Sequence, residues 1–200
     1  MRPTDYIEQR SRKPARILVW LSQLFLFAGL IALGYSLYFY VSAYAFQEVE
    51  SISFSTPPPD APAIGHIVPE GGVIGRIEIG RLGLSAIIVE GDSPSLLRRA
   101  VGHVPGTAMP GESGNMALTG HRDTFFRSLR QIRQGDLVTL ETMGGQYLYA
   151  VESTDIVSPA ATEVLRSSSE EELTLITCYP FYLVGPAPSR FIVRARRLGS

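Results

Sequence analysis

The stretch DLVTLETMGGQYLYAVESTD, residues 136 to 155, sets the reading of the chain. Two β-rich runs, DLVTLET (136–142) and QYLYAVESTD (146–155), flank Met143-Gly144-Gly145, a connection short enough for a hairpin. The same alternation of β-rich runs and turn signals continues on either side. VIGRIEI (73–79), LSAIIVE (84–90) and NMALTG (115–120) precede the hairpin, and LTLITC (173–178) and RFIVRAR (190–196) follow it. Seven runs at this spacing predict a closed or sandwiched β-domain. Helices are few and short here: Ser93-Pro94 followed by Ser95-Leu96-Leu97-Arg98-Arg99 reads as one N-capped helical turn. Two connections, Val101 to Gly114 and Ile156 to Glu172, are long for a compact domain, and long connections often carry function.

Upstream the composition changes. Of 200 residues, 18 are Lys or Arg and 19 Asp or Glu, a net charge of -1 that argues against nucleic acid as a partner. No charge falls from Ile17 to Phe46, a run of 30 residues reading ILVWLSQLFLFAGLIALGYSLYFYVSAYAF. About 20 apolar residues cross a bilayer as a helix, so this run spans one with tilt. It also exceeds the roughly 7 to 15 residues of an ordinary secretory h-region, which argues against a cleaved signal peptide. Arg10, Arg12, Lys13 and Arg16 crowd its amino side and Glu48 and Glu50 follow it, an asymmetry that orients the amino end to the cytoplasm. The expected organisation is a cytoplasmic basic tail (1–16), a transmembrane anchor (17–46), a proline-rich extracytoplasmic linker (47–69) and a β-domain (70–200). Within the linker, STPPPDAPAIG (55–65) carries four prolines that resist helix and favour an extended spacer.

Cys178 is the single cysteine, so no intramolecular disulfide forms, although the predicted compartment permits one. It ends a strand-like run at Tyr179-Pro180, which puts the thiol at a strand end beside a loop. A nucleophilic thiol needs a proton acceptor or an imidazolium neighbour, and the histidines are His66, His103 and His121. His121 also closes a strand-like run, whereas His66 lies beside the proline spacer and His103 in a long loop. Acyl transfer further needs a group to meet charge on the carbonyl oxygen, which an arginine supplies as a forked donor. Arg190 opens the last run, and Arg194, Arg196 and Arg197 follow it as outward-facing charges. Asp123 precedes a segment, Thr-Phe-Phe-Arg-Ser-Leu-Arg, that looks helical, and is not expected to act as a triad acid. The competing reading is a non-enzymatic, membrane-tethered binding module in which Cys178 is a buried small hydrophobe.

Thr174-Leu175-Ile176-Thr177-Cys178 resembles the TLxTC signature of sortases, cysteine transpeptidases of bacterial membranes. TGHRDTFF (119–126) resembles the segment around their histidine, and CYPFYLVGPAPSRFIVRAR (178–196) their cysteine-to-arginine segment. The wording is most similar to class D. Asp60-Ala61-Pro62 lacks the aspartate-proline-aromatic lid of class C, and no long class B insertion is evident between Asp155 and Leu173. The resemblance implies an eight-stranded β-barrel in which Cys178 attacks, His121 handles the proton, Arg190 stabilises substrate or oxyanion, and Thr177 helps position the substrate. It implies an enzyme at the plasma membrane that cleaves proteins bearing an LPxTG-like sorting signal. The acyl group would pass to an amine on peptidoglycan or another protein, without a cofactor. Calcium binding, known in some members, has no recognisable coordination loop here and stays open. Ser167 to Ser169 and Glu170 to Glu172 read as a solvated loop. A papain-like order, cysteine first, and the Ser-x-Gly-Cys setting of L,D-transpeptidases both fail to match.

Overall fold

The computed structural model describes residues 12–55 and 68–199. Helix α1 (Arg12–Ser55) contains the apolar span Ile17–Gln47, which is long and apolar enough to cross a membrane. Among its described side chains the large apolar ones, including Trp20, Phe25, Ile31, Leu33 and Tyr40, stand exposed. The helix continues through residues 47–55 and ends before the prolines at 57–59, which lie outside the described residues with the rest of the spacer and with His66.

The β-unit is built from β1 (Val73–Ile79), β2 (Leu84–Glu90), β3 (Val101–His103), β4 (Gly114–Thr119), β5 (Leu137–Thr142), β6 (Gly145–Val157), β7 (Glu171–Tyr179) and β8 (Ser189–Arg197). They close into one barrel in the order β1-β2-β3-β4-β7-β8-β6-β5, with β5 pairing back onto β1. Eight strands leave an interior that side chains fill. Met116 and Leu118 of β4, Val138 and Leu140 of β5, Tyr149 and Val151 of β6, Leu173 and Leu175 of β7, and Val193 and Ala195 of β8 enter it at every second position. β1 breaks that period, since Ile74 and Ile77 both enter the core. A register shift between Val73 and Gly75 accounts for it, and a Cβ on Gly75 would overlap the Glu141 carbonyl oxygen. The short α2 (Pro94–Leu97) begins after Ser93, as the Ser-Pro signal predicts.

Three expectations need correction. The interval from Val101 is not all loop: Val101–His103 is a strand, parallel to β2 and antiparallel to β4, that supplies the eighth member of the barrel. His103 is therefore on a strand, 2% exposed, with Nδ1 2.6 Å from Glu90 Oε2 and Nε2 2.9 Å from the Thr107 hydroxyl and 3.1 Å from the Ala108 carbonyl. Glu171 and Glu172 are not in a solvated loop but open β7, where Glu171 pairs with Arg197, and Glu170 just before them pairs with Arg196. At that end of the barrel, burial and then Glu171 push the Tyr149 phenol up to about 12, against a smaller opposing effect of Arg197. The segment after Asp123 begins as a turn rather than a helix, and the helical reading holds only from Arg127, where a short 3-10 helix (Arg127–Gln131) starts.

The 3-10 helix Gly80–Leu82 between β1 and β2 is tied to the β5 entrance by Arg81, whose guanidinium donates two hydrogen bonds to the Asp136 carboxylate and one to the Gln131 carbonyl. Arg81 first, and then the Arg133 backbone N–H, lower the Asp136 carboxyl against the opposing effect of burial. A carboxylate depressed in the folded state contributes stability above its unfolded value, near 3.8, and loses it as pH falls through the folded value. Asp136→Asn should therefore destabilise the protein at pH 7 in urea titrations, and the gap from the parent should narrow as pH falls from about 3.8 through the folded value. A constant gap at all pH values would contradict the assignment.

Candidate active site

β4 and β7 pair in parallel from Gly114↔Glu171 to Thr119↔Ile176, with every pair 57 positions apart. The pairing continues past the end of β4, because the Gly120 N–H donates to the Ile176 carbonyl at 3.2 Å and the Thr177 hydroxyl donates to the Gly120 carbonyl at 2.7 Å. His121 follows at the same offset from Cys178. On the other side of β7, β8 pairs antiparallel, and Cys178 is the direct cross-strand partner of Arg190. One row across three adjacent strand ends thus holds His121, Cys178 and Arg190.

The face follows from the core alternation. Leu173 and Leu175 point inward on β7, as do Val193 and Ala195 on β8 and Met116 and Leu118 on β4. Cys178 and Arg190 carry the opposite parity, toward the outer face, and His121 lies two residues past the end of β4. All three are half-buried. A cysteine serving as core filler would be fully buried, and Cys178 is not. Thr177 has the inward parity and is 2% exposed, its hydroxyl committed to Gly120. It joins the nucleophile's strand to the histidine's segment.

The arginines of β8 differ in their partners. Arg194 pairs with Asp155 at 3.8 Å, Arg196 with Glu152 and Glu170, and Arg197 with Glu171 at 3.4 Å. Among the described residues Arg190 alone of these four has no carboxylate partner; Nη1 donates to its neighbour's carbonyl, Ser189, at 3.2 Å. Asp123 is exposed on the turn after His121. Among the described residues no group of three His, Cys, Asp or Glu side chains converges as a metal site would.

Surrounding groups fix the row. A buried chain runs from the Thr174 hydroxyl to Asn115 Oδ1 at 2.7 Å and from Asn115 Nδ2 to the Val164 carbonyl at 2.9 Å. It fastens the β6–β7 connection, including the 3-10 helix Thr162–Leu165, over the outer face of β4 and β7. Phe126, fully buried, folds back so that its N–H donates to the His121 carbonyl at 3.0 Å. Tyr179, Phe181 and Phe191 form an aromatic cluster with ring centroids 5.3 to 6.3 Å apart beside the row. Sequence reasoning missed Arg122, which reaches from the histidine segment to the β7–β8 loop; adjacency to His121 was its only signal.

A family model of the sortase domain matches residues 77–198. Sortase D of Bacillus subtilis (strain 168) is 39% identical over 129 residues, covering 64% of this chain and 65% of that protein. Sortase A of Bacillus anthracis is 31% identical over 110 residues, covering 53% of this chain and 52% of that protein. The chain thus spans between half and two thirds of these relatives. Among solved structures, a Sortase D5 transpeptidase of Clostridium perfringens aligns with a TM-score of 0.69 at 27% identity over 80% of this chain and 99% of that one. Sortase C from Clostridium perfringens SM101 aligns with a TM-score of 0.60 at 31% identity over 66% and 73%.

Gly120 leaves room for the Phe126 ring. A Cβ there would stand 2.9 Å from the Phe126 ring, which is locked in the core and cannot swing away. Gly120→Ala should cost about 1 to 3 kcal/mol by overpacking, read as a lower urea midpoint. Phe126→Leu in the same chain should recover part of that loss, and strictly additive effects would contradict the contact.

Proposed function

The chain belongs to the sortase family, and on that premise we propose that it is a membrane-anchored cysteine transpeptidase acting on sorting signals of secreted proteins. The observation that carries this reading is the row of His121, Cys178 and Arg190, with an arginine unpaired by any described carboxylate directly across from the thiol.

In the first half-reaction the Cys178 thiolate attacks a backbone carbonyl of the signal. The carbonyl π pair moves to oxygen, and the Arg190 guanidinium stabilises the resulting oxyanion. Collapse breaks the C–N bond; the departing amine takes a proton from the His121 imidazolium and leaves a thioester on Cys178. In the second half an amine attacks the thioester carbonyl and His121 accepts its proton. Expulsion of the Cys178 thiolate then completes a new amide. No cofactor takes part in these steps. Thr177 acts in this scheme through Gly120, holding the segment that bears His121 against the strand that bears Cys178, and so shapes where substrate meets the thiol.

Helix α1 fits a single-pass anchor. Under the positive-inside rule the basic residues at its amino side would put that end in the cytoplasm and the barrel outside, where secreted proteins and envelope amines are found. The substrates would be proteins with an LPxTG-like signal, and the acceptor an amine on peptidoglycan or on another protein.

Intact mass spectrometry of the full chain in detergent, mixed with LPxTG-like peptides including LPxTA variants, tests this. A mass increase equal to the acyl portion, removed by hydroxylamine and absent in Cys178→Ala, is expected. Turnover retained by a folded Cys178→Ala variant would exclude the mechanism.

A further inference from the structure

Residues 180–188 join Cys178's strand to Arg190's strand, and two of them are among the most exposed apolar side chains of the β-unit: Tyr182 is 86% and Val184 97% exposed. The base of this loop is packed, since Phe181 lies against Tyr179 and Phe191. The tip has no such support. Within the loop the Leu183 N–H donates to the Pro180 carbonyl at 3.4 Å, a long bond that closes one turn. Among the described residues, the hydrogen bonds that reach the loop from elsewhere are both from Arg122: Nη1 to the Pro180 carbonyl at 3.1 Å and Nη2 to the Gly185 carbonyl at 2.7 Å.

We propose that Arg122 is a positioning residue for acyl transfer, a clamp that holds the β7–β8 loop against the segment bearing His121. The proposal rests on the transpeptidase reading above. One guanidinium bonds at a position two residues after Cys178 and again five residues before Arg190, while its own backbone follows His121 directly. All three reacting groups are therefore indexed to a single planar fork. The fork matters, because two carbonyls at fixed spacing are met by two N–H groups of one rigid plane, whereas a lysine ammonium is a point charge on a flexible stem. Arg122 is half-buried, and among the described residues it has no carboxylate partner, so its hydrogen-bonding capacity goes to loop carbonyls.

The clamp also sets where Tyr182 and Val184 stand. A peptide lying across Cys178 toward Arg190 passes the loop between them, and the apolar tip faces it only while Gly185 is held. Releasing the fork frees the tip and uncouples the His121 segment from the loop. Misplacement of about 1 Å costs on the order of a hundredfold in rate where catalytic groups must converge, so the loss should appear in kcat more than in KM.

The test pairs hydrogen exchange with steady-state kinetics on the full chain in detergent, comparing the parent with Arg122→Ala and Arg122→Lys. Faster amide exchange confined to residues 181–187, a tenfold or greater fall in kcat for Arg122→Ala with a smaller change in KM, and an intermediate kcat for Arg122→Lys are expected. Unchanged exchange in a folded Arg122→Ala variant would overturn the clamp, and faster exchange with unchanged kcat would overturn its role in positioning. A parent chain that forms no acyl adduct would sink the transpeptidase reading and the kinetic half of this proposal with it, while exchange would still decide the clamp.

Discussion

The parallel pairing of β4 with β7 is the constraint on which the other features rest. Parallel neighbours cannot be joined by a tight turn, so the chain between them must leave the pair and return. Here it does so by way of the β5–β6 hairpin, and β5 closes the barrel onto β1 while β6 receives β8. The return fixes an offset of 57 positions between partners, and that offset brings the residue after Gly120 level with the residue after Thr177. β8 then needs only the nine-residue loop 180–188 and an antiparallel register to set Arg190 against Cys178. A slip of one residue in either pairing would send one member of the row to the opposite face of the sheet.

Polar groups near these strand ends are largely consumed by neighbouring backbone. Thr177 donates to the Gly120 carbonyl, Asn115 to the Val164 carbonyl and Arg122 to two loop carbonyls, while His103 lies within reach of the Ala108 carbonyl. Each satisfies an acceptor that would otherwise be costly to bury or left to water. Arg190 departs from the pattern: Ser189 supplies its one protein acceptor among the described residues. Among the described residues it is a cation without a carboxylate partner, directly across the strand pair from a half-buried thiol.

Much of the barrel was legible in the sequence where strands carry enough β-rich residues to be read. β1 and β2 match the runs VIGRIEI and LSAIIVE residue for residue, and the other runs end within a few positions of their strands. β3 was not legible, because Val-Gly-His is too short to show a period and earns its place only by pairing on both sides. Glu171 and Glu172 looked like loop for a related reason: their strand character depends on arginines of β8, far along the chain, that lie across from them. The candidate site was legible in its members, since His121, Cys178 and Arg190 each sit at the edge of a run. Their juxtaposition was not. The 57-position spacing acquires meaning only once β4 and β7 are known to be parallel neighbours, and Arg122 has no sequence signature beyond following His121.

In the proposed reaction this register presents Cys178 to a peptide carbonyl with Arg190 and His121 on either side of it. A crystal structure of the chain covalently trapped on Cys178, with a sorting-signal peptide bearing a thiol-reactive group at the scissile position, would reveal this arrangement. The carbonyl-equivalent oxygen should lie within about 3 Å of the Arg190 guanidinium, the length of a charge-assisted hydrogen bond, with His121 on the leaving-group side. An adduct whose oxygen points away from Arg190, or whose leaving-group side faces away from His121, would contradict it.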